Sequence, residues 1–277
     1  MKLRTTLTTL CAALLAISSA NAAKIGVSMP TQSLQRWNQD GHNLERQLQD
    51  AGHKVELLYA GDNDIPTQLN QGENMIASNC DVLVIAPIDG SSLTEVLTAA
   101  KDKGIPVVSY DRLIMNSDAI SYYATFDNYK VGQIQGNYLV DALKLNEEGT
   151  DPKNIELFTG SIDDNNVNFF FGGAIDVLQP YIDEGKLVVQ SGQMTKDEVA
   201  TAAWDTATAQ ARFENILSSY YADGTPLHAI LASNDSTALG AINALAANYV
   251  NDVYPVITGQ DCDIANVPHI VAGTQAM

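Results

Sequence analysis

Asp111 and Arg112 stand side by side directly after an apolar, β-branched run, and a longer polar stretch, Ser161-Ile162-Asp163-Asp164-Asn165-Asn166, follows a second such run. The arrangement recurs at Ile88-Asp89, at Ser233-Asn234-Asp235 and at Gln260-Asp261, while the first apolar run of the chain leads into Thr31-Gln32-Ser33-Leu34-Gln35-Arg36-Trp37. A hydroxyl both donates and accepts, so carboxylates, amides and a guanidinium can satisfy it together. Charge strengthens those bonds, and arginine presents a rigid two-pronged fork. A hydroxyl left unpaired inside such a site costs about 1–3 kcal/mol, which gives the site its discrimination. The inventory suits a polyhydroxylated neutral ligand, and Trp37, Trp204 and Phe170 are candidates to cover the apolar face of its ring.

Each of these groups also has a plainer reading. Asp89 and Asp235 follow strands and fit helix N-caps as well as ligand contacts. Asp111-Arg112 could be a local ion pair, and Trp37 taken alone reads as core. Asp62-Asn63-Asp64 lacks the remaining positions of a calcium loop and reads as a cap before Pro66. The weight lies in the repetition: polar residues occur at the same end of strand after strand, where open parallel sheets bind ligands.

The elements that must hold these residues alternate between strand and helix patterns, the mark of an α/β fold with parallel sheets. Strands are predicted at Lys24–Met29, Lys54–Tyr59, Val82–Ala86, Pro106–Ser109 and Ser121–Thr125. A helix carries Leu34, Trp37, Leu44 and Leu48 and ends before Gly52; another begins at Ser92, where Ser92-Leu93-Thr94-Glu95 reads as a capping box. After a helix over Tyr129–Leu143 the series restarts, with strands at Asn154–Phe158, Leu187–Gln190, His228–Ala232 and Pro255–Thr258. The second series has helices near 167–183, 205–222 and 235–247. Two similar βα series imply two Rossmann-like lobes.

Lys2 and Arg4, the apolar run Leu10–Ile17 and Ala20-Asn21-Ala22 read as an export signal, residues 1–22, cleaved near Ala22. Cys11 lies inside the apolar run, which speaks against a lipid anchor. The formal net charge of −18 becomes −20 without Lys2 and Arg4, which argues against nucleic acid and anionic membranes as partners and is accounted for by solubility alone. Cys80 and Cys262 are expected as two free, partly buried thiols. His42, His53, His228 and His269 never fall at metal-ligand spacing, and no GxSxG, HExxH, GxGxxG or Walker A motif occurs. No metal, no cofactor and no catalytic residue is therefore expected.

The longer motifs resemble those of periplasmic sugar-binding proteins of the ribose/galactose/xylose type, the type I periplasmic binding proteins, and within them the multiple-sugar-binding receptors for aldoses and aldose-type sugar acids. The resemblance rests on Met29-Pro30-Thr31 with Arg36-Trp37, on Tyr110-Asp111-Arg112, on Tyr122-Tyr123-Ala124-Thr125-Phe126-Asp127-Asn128 and on Asp163-Asp164-Asn165-Asn166. It continues through Gln190-Ser191-Gly192-Gln193-Met194, Trp204-Asp205-Thr206-Ala207 and Gly259-Gln260-Asp261. It implies a first lobe over 23–126 and a second over 127–277, joined at a hinge and closing on a monosaccharide. It further implies delivery to an inner-membrane ABC permease, with a membrane sensor or chemoreceptor as an additional candidate partner, and a monomer in the periplasm. Carried over position by position, Asp111 and Arg112 grip ring hydroxyls and Arg36 and Trp37 form the first contact loop. Asp164, Asn165 and Asn166 supply the second lobe, Trp204 an aromatic platform, Asn234 an amide and Asp261 a carboxylate.

Family chains continue beyond the segment resembling Ala272-Gly273-Thr274-Gln275, whereas this sequence stops at Met277. The expectation is a C-terminally truncated first lobe that lacks its returning helix and strand, with weakened sugar binding and stability. Two other classes compete. A sugar-responsive transcription regulator would need a basic helix-turn-helix before the fold, and a glycoside hydrolase could use Asp163 and Asp164 as its carboxyl pair.

Overall fold

The computed structural model describes residues 22–277, so the expected export leader and Cys11 lie outside the described residues. Strands β1 (Lys24–Met29), β2 (Lys54–Tyr59), β3 (Val82–Ile85), β4 (Val107–Tyr110) and β5 (Ile120–Ala124) form a sheet in the order β2-β1-β3-β4-β5. Strands β6 (Lys153–Phe158), β7 (Leu187–Val188), β8 (Ala229–Ala232) and β9 (Val256–Ile257) form a second, in the order β7-β6-β8-β9. Every neighbouring pair is parallel.

Helices α1 (Gln35–Asp50), α2 (Ile65–Ala77) and α3 (Thr94–Asp102) link the first four strands, and α4 (Asn128–Ala142) follows β5. Around the second sheet lie α5 (Asn166–Asp183), α6 (Lys196–Val199), α7 (Thr206–Ile216), α8 (Asp235–Asn248) and α9 (Val267–Ala272). No helix among the described residues is long and apolar enough to cross a membrane.

Strand residues alternate between two faces, so a strand covered on both must be apolar throughout. In β3, Leu83 and Ile85 join a core with Met75, Val96 and Leu97 from α2 and α3, while Val84 turns to the opposite core with Val27, Met29 and Trp37. In β8 the same alternation sends Ala229 and Leu231 toward Leu139 and Leu178 of α4 and α5, and Ile230 and Ala232 toward Phe213 and Ala241 of α7 and α8. α4 and α5 meet at their backbones. A Cβ on Gly132 would strike the Phe170 carbonyl oxygen, and one on Gly173 would strike that of Tyr129.

The structure departs from the expected elements in several places. β7 and β9 are two residues long, α6 and α9 had no counterpart in the sequence pattern, and α7 runs into a π-helical turn over Leu217–Tyr221. The capping box at Ser92 does not form: α3 begins at Thr94 after Leu93, with no side-chain cap. The Ser92 hydroxyl instead donates to the Asp89 carbonyl at 3.0 Å, and the Asp89 carboxylate accepts the Ser91 N–H at 2.7 Å, which closes a turn upstream of the helix. A reciprocal box does form at Thr195 and Glu198 before α6. Asp64 caps α2, as expected, by accepting from Thr67 N at 3.0 Å. Asp235 is not a cap but the first helical residue of α8, the cap being Asn234. The cysteines are both free, yet they differ: Cys80 is buried in the core beside Met75 and Leu83, and Cys262 is exposed on the loop after β9.

Candidate functional site

The carboxyl ends of both sheets face one pocket, which encloses about 380 Å³ of empty space, open solvent included. From the first sheet, α1 follows β1 after the segment 30–34 and presents Arg36 and Trp37 in its first turn, while Asp111 and Arg112 leave the end of β4. From the second, Asp164 and Asn166 flank the start of α5, Trp204 precedes α7, Asn234 caps α8 and Asp261 follows β9.

Arg36 makes a two-pronged contact with Asp111, 2.8 Å to Oδ1 and 3.3 Å to Oδ2, and reaches across to Asp261 at 3.7 Å. Arg112 places Nε 2.9 Å from Asp164 Oδ2, off the hydrogen-bonding direction, so the contact is an ion pair and not a linear hydrogen bond. Its Nη1 donates to the Pro87 carbonyl at 3.1 Å. Asn166 Nδ2 donates to the Asp111 carbonyl at 3.3 Å. Polar contacts thus join the two walls of the pocket directly. Both guanidinium carbons lie over Trp37, 4.6 and 5.0 Å from its ring centroid, within the range of cation–π attraction.

Trp204 is fixed from three sides. Its Nε1 donates to Asp164 Oδ2 at 3.2 Å, its ring packs edge-on against Phe170 at 6.3 Å between centroids, and its indole lies so close over Gly160 that no side chain fits there. Three non-glycine residues of the pocket adopt left-handed backbone: Asp111 (φ 60°), Trp204 (φ 58°) and Asp261 (φ 97°). Such conformations persist only where surrounding contacts enforce them, and they concentrate at functional sites.

Two guanidinium groups and three carboxylates share this enclosure. Burial opposes the charge on Arg36, but Asp261, Asp111 and Asp40 outweigh it and hold its pKa above the ordinary arginine value. Burial raises Asp164 despite Arg112, the Asn166 N–H and the Trp204 N–H, and it raises Asp261 despite Arg36. Behind Asp261 stands a further acidic layer. Asp235 accepts Asp263 N at 2.8 Å and Gln275 Nε2 at 2.6 Å, and Asn266 bridges the Asp235 carbonyl to Gln275. Burial pushes Asp263 up to about 7 and Asp235 up to about 6.

Arg36, Trp37, Asp111, Arg112, Asp164, Asn166, Trp204, Asn234 and Asp261 line the pocket together, as does Phe170. Asn165 does not. It is the residue before α5, where its Oδ1 accepts from Asn168 Nδ2 at 3.2 Å, and the helix start turns it away while its two neighbours face in. Ser236 lines the pocket without having been singled out; it stands two residues beyond Asn234, in the first turn of α8. Asp263 carried no sequence signal and Gln275 was noted only as part of a resembling segment, since the importance of both comes from contacts with Asp235 across 28 and 40 residues. Among the described residues no group of His, Cys, Asp or Glu is arranged to hold a metal ion.

Two parallel sheets that turn their carboxyl ends toward one shared, charge-lined pocket define a two-lobed binding protein. A family model described as periplasmic binding protein domain matches residues 25–277, and the chain belongs to that family. It is 51% identical over 254 residues to the multiple sugar-binding periplasmic protein SbpA of Azospirillum brasilense, covering 91% of this chain and 70% of the relative. It is 50% identical over 260 residues to the multiple sugar-binding periplasmic receptor ChvE of Rhizobium radiobacter, covering 93% and 73%. Among solved structures, an ABC transporter solute-binding protein of Clostridium phytofermentans with bound β-D-glucose superposes with a TM-score of 0.88 at 59% identity, covering 91% of this chain and 77% of that one.

Proposed function

We propose that this chain is a periplasmic solute-binding protein that captures a neutral aldose monosaccharide and hands it to an inner-membrane ABC permease. The observation that carries the reading is the enclosure of Arg36, Arg112, Asp111, Asp164 and Asp261 in one pocket between the sheets. Ring hydroxyls entering there exchange bonds with charged groups that already face one another. Trp37, Phe170 and Trp204 supply the apolar surface. The glucose-bound relative supports the same ligand class.

In this reading the lobes are 23–126 and 127–277, and closure between them is the switch that the permease, and a membrane sensor or chemoreceptor, would read. The protein acts as a monomer, its leader is removed near Ala22, and it binds without chemical conversion. Three carboxylates against two guanidinium groups leave a net negative pocket, which favours neutral sugars over sugar acids.

Isothermal titration with glucose, galactose, xylose, arabinose and the matching uronates tests this. At least one neutral aldose binds more tightly than its uronate at pH 7.5, and Asp111→Ala weakens it at least tenfold. No binding by any aldose, or turnover of an aryl glycoside, overturns the reading.

A further inference from the structure

A second chamber, about 290 Å³ with open solvent included, lies directly beside the sugar pocket and shares Leu34, Arg112 and Trp204 with it. Its remaining wall is built from both halves of the molecule. Thr31, Asp62 and Asn63 come from the loops after β1 and β2, Ser161 comes from the loop after β6, and Ala203 comes from the short 3-10 turn Ala202–Trp204 before α7.

The geometry points to this chamber as a second subsite that accepts the substituent of a glycoside or the second ring of a disaccharide, while the first ring occupies the arginine–carboxylate pocket. The inference rests on the proposed sugar-binding function and extends it. Three features of the chamber support it. First, the two spaces share a fixed aromatic boundary: Trp204 borders both and is held in place by Asp164 and Phe170. Second, the outer wall offers a hydroxyl, a carboxylate, an amide and another hydroxyl in Thr31, Asp62, Asn63 and Ser161, the same hydrogen-bonding chemistry as the inner pocket without its guanidinium–carboxylate pairs. Asp62 Oδ1 gathers the hydroxyls of Thr31 and Ser33, which orients that wall. Third, left-handed backbone is concentrated around the chamber. Asn63 (φ 54°), Ala203 (φ 53°) and Trp204 (φ 58°) are all left-handed, and the consecutive pair Ala203-Trp204 sets the smallest side chain at the chamber and the largest at its inner border.

Titration calorimetry on the full chain with glucose, and then with cellobiose, maltose, isomaltose and gentiobiose, tests the assignment. At least one disaccharide is expected to bind within about tenfold of glucose. Asn63→Gly, which suits the left-handed backbone, and separately Asp62→Ala, on an exposed loop, should each leave glucose affinity within about twofold and weaken that disaccharide at least fivefold. Glucose binding with all four disaccharides silent overturns the subsite alone. Variants that weaken glucose and disaccharide equally overturn it as well. Silence with glucose and every other aldose overturns the parent reading and the subsite with it.

Discussion

Asp164 carries more of the pocket than its neighbours because it is the single carboxylate that faces Arg112, Trp204 Nε1 and the Asn166 N–H together. Only 3% of its side chain and 9% of that of Arg112 are exposed, so neither charge has water as an alternative partner. Removing one member of a buried pair strands the other, at a cost of about 3–5 kcal/mol, whereas replacing both by apolar groups is often close to neutral. Asp164→Ala should therefore lower unfolding free energy in urea by about that amount. Combining it with Arg112→Met should recover a large part. A double variant no more stable than Asp164→Ala would show that the stranded cation is not the source of the loss. Residue type and strand-end position made Asp164, Arg112 and Asp111 legible in the sequence. The left-handed backbone at Asp111, Trp204 and Asp261 was not, because aspartate is enriched in that region without being confined to it, and tryptophan gives no hint of it.

At the scale of elements, most strands and helices were legible because two-sided burial forces runs such as Val82–Ile85 to be apolar throughout, and because Asp64, Asp127, Asp205 and Asn234 cap their helices through their own side chains. The capping box at Ser92 misled, since Asp89, Ser91 and Ser92 use the same hydroxyls and carboxylate to close a turn first. Strands β7 and β9 are shorter than their apolar runs because parallel pairing with β6 and β8 extends over only two residues each. The pairing of α4 with α5 was the least legible feature, as Gly132 and Gly173 look like weak helix residues until the neighbouring backbone is seen to occupy their Cβ positions. Gly132→Ala would raise intrinsic helix propensity yet drive a methyl group into the Phe170 carbonyl. The expected outcome is destabilisation of about 1–3 kcal/mol in urea titration, the usual cost of overpacking. The Gly52→Ala control changes a left-handed position with open space around it, so its loss comes from backbone strain alone. An unchanged or increased stability for Gly132→Ala would mean that the helices can separate without penalty.

For the whole molecule, the acidic balance that kept nucleic acid off the list of partners also shapes the response to pH. Burial disfavours the ionisation of several of its acids in the folded state, Glu156, Asp164 and Asp261 among them, and Asp235 and Asp263 lie together in one such layer. Asp263 is 4% exposed, Asp235 is fully buried, and one oxygen of Asp263 has no hydrogen-bond partner among the described residues. Burial, then the charges of Asp261 and Asp235, raise Asp263 from 3.8 to about 7, against the pull of Arg36 and with Asp40 adding to the rise. Burial raises Asp235 from 3.8 to about 6 although the Asp263 N–H, Gln275 and the Gln260 backbone contact oppose it. A carboxyl whose folded pKa is raised binds its proton more tightly in the folded state than in the unfolded one. Its contribution is greatest near pH 4 and falls as pH rises through the folded values, levelling off above about 7. Each unit of separation corresponds to about 1.4 kcal/mol. The carboxylates of Asp64 and Asp118 are lowered by Thr67 and Lys101 respectively, and they act in the opposite sense at lower pH, their stabilisation being lost as pH falls below the ordinary carboxylate range. Thermal midpoints should therefore decline from about pH 4.5 to about pH 7 and change little between pH 7 and 8. Asp263→Asn, which keeps the shape and removes the titration, should flatten that decline and leave a residual slope at lower pH from Asp235 and the other raised carboxyls. A wild-type midpoint that rises across the same interval would place both carboxyls in their ionised form throughout, and the acidic layer behind Asp261 would then hold its charges through contacts stronger than the burial that opposes them.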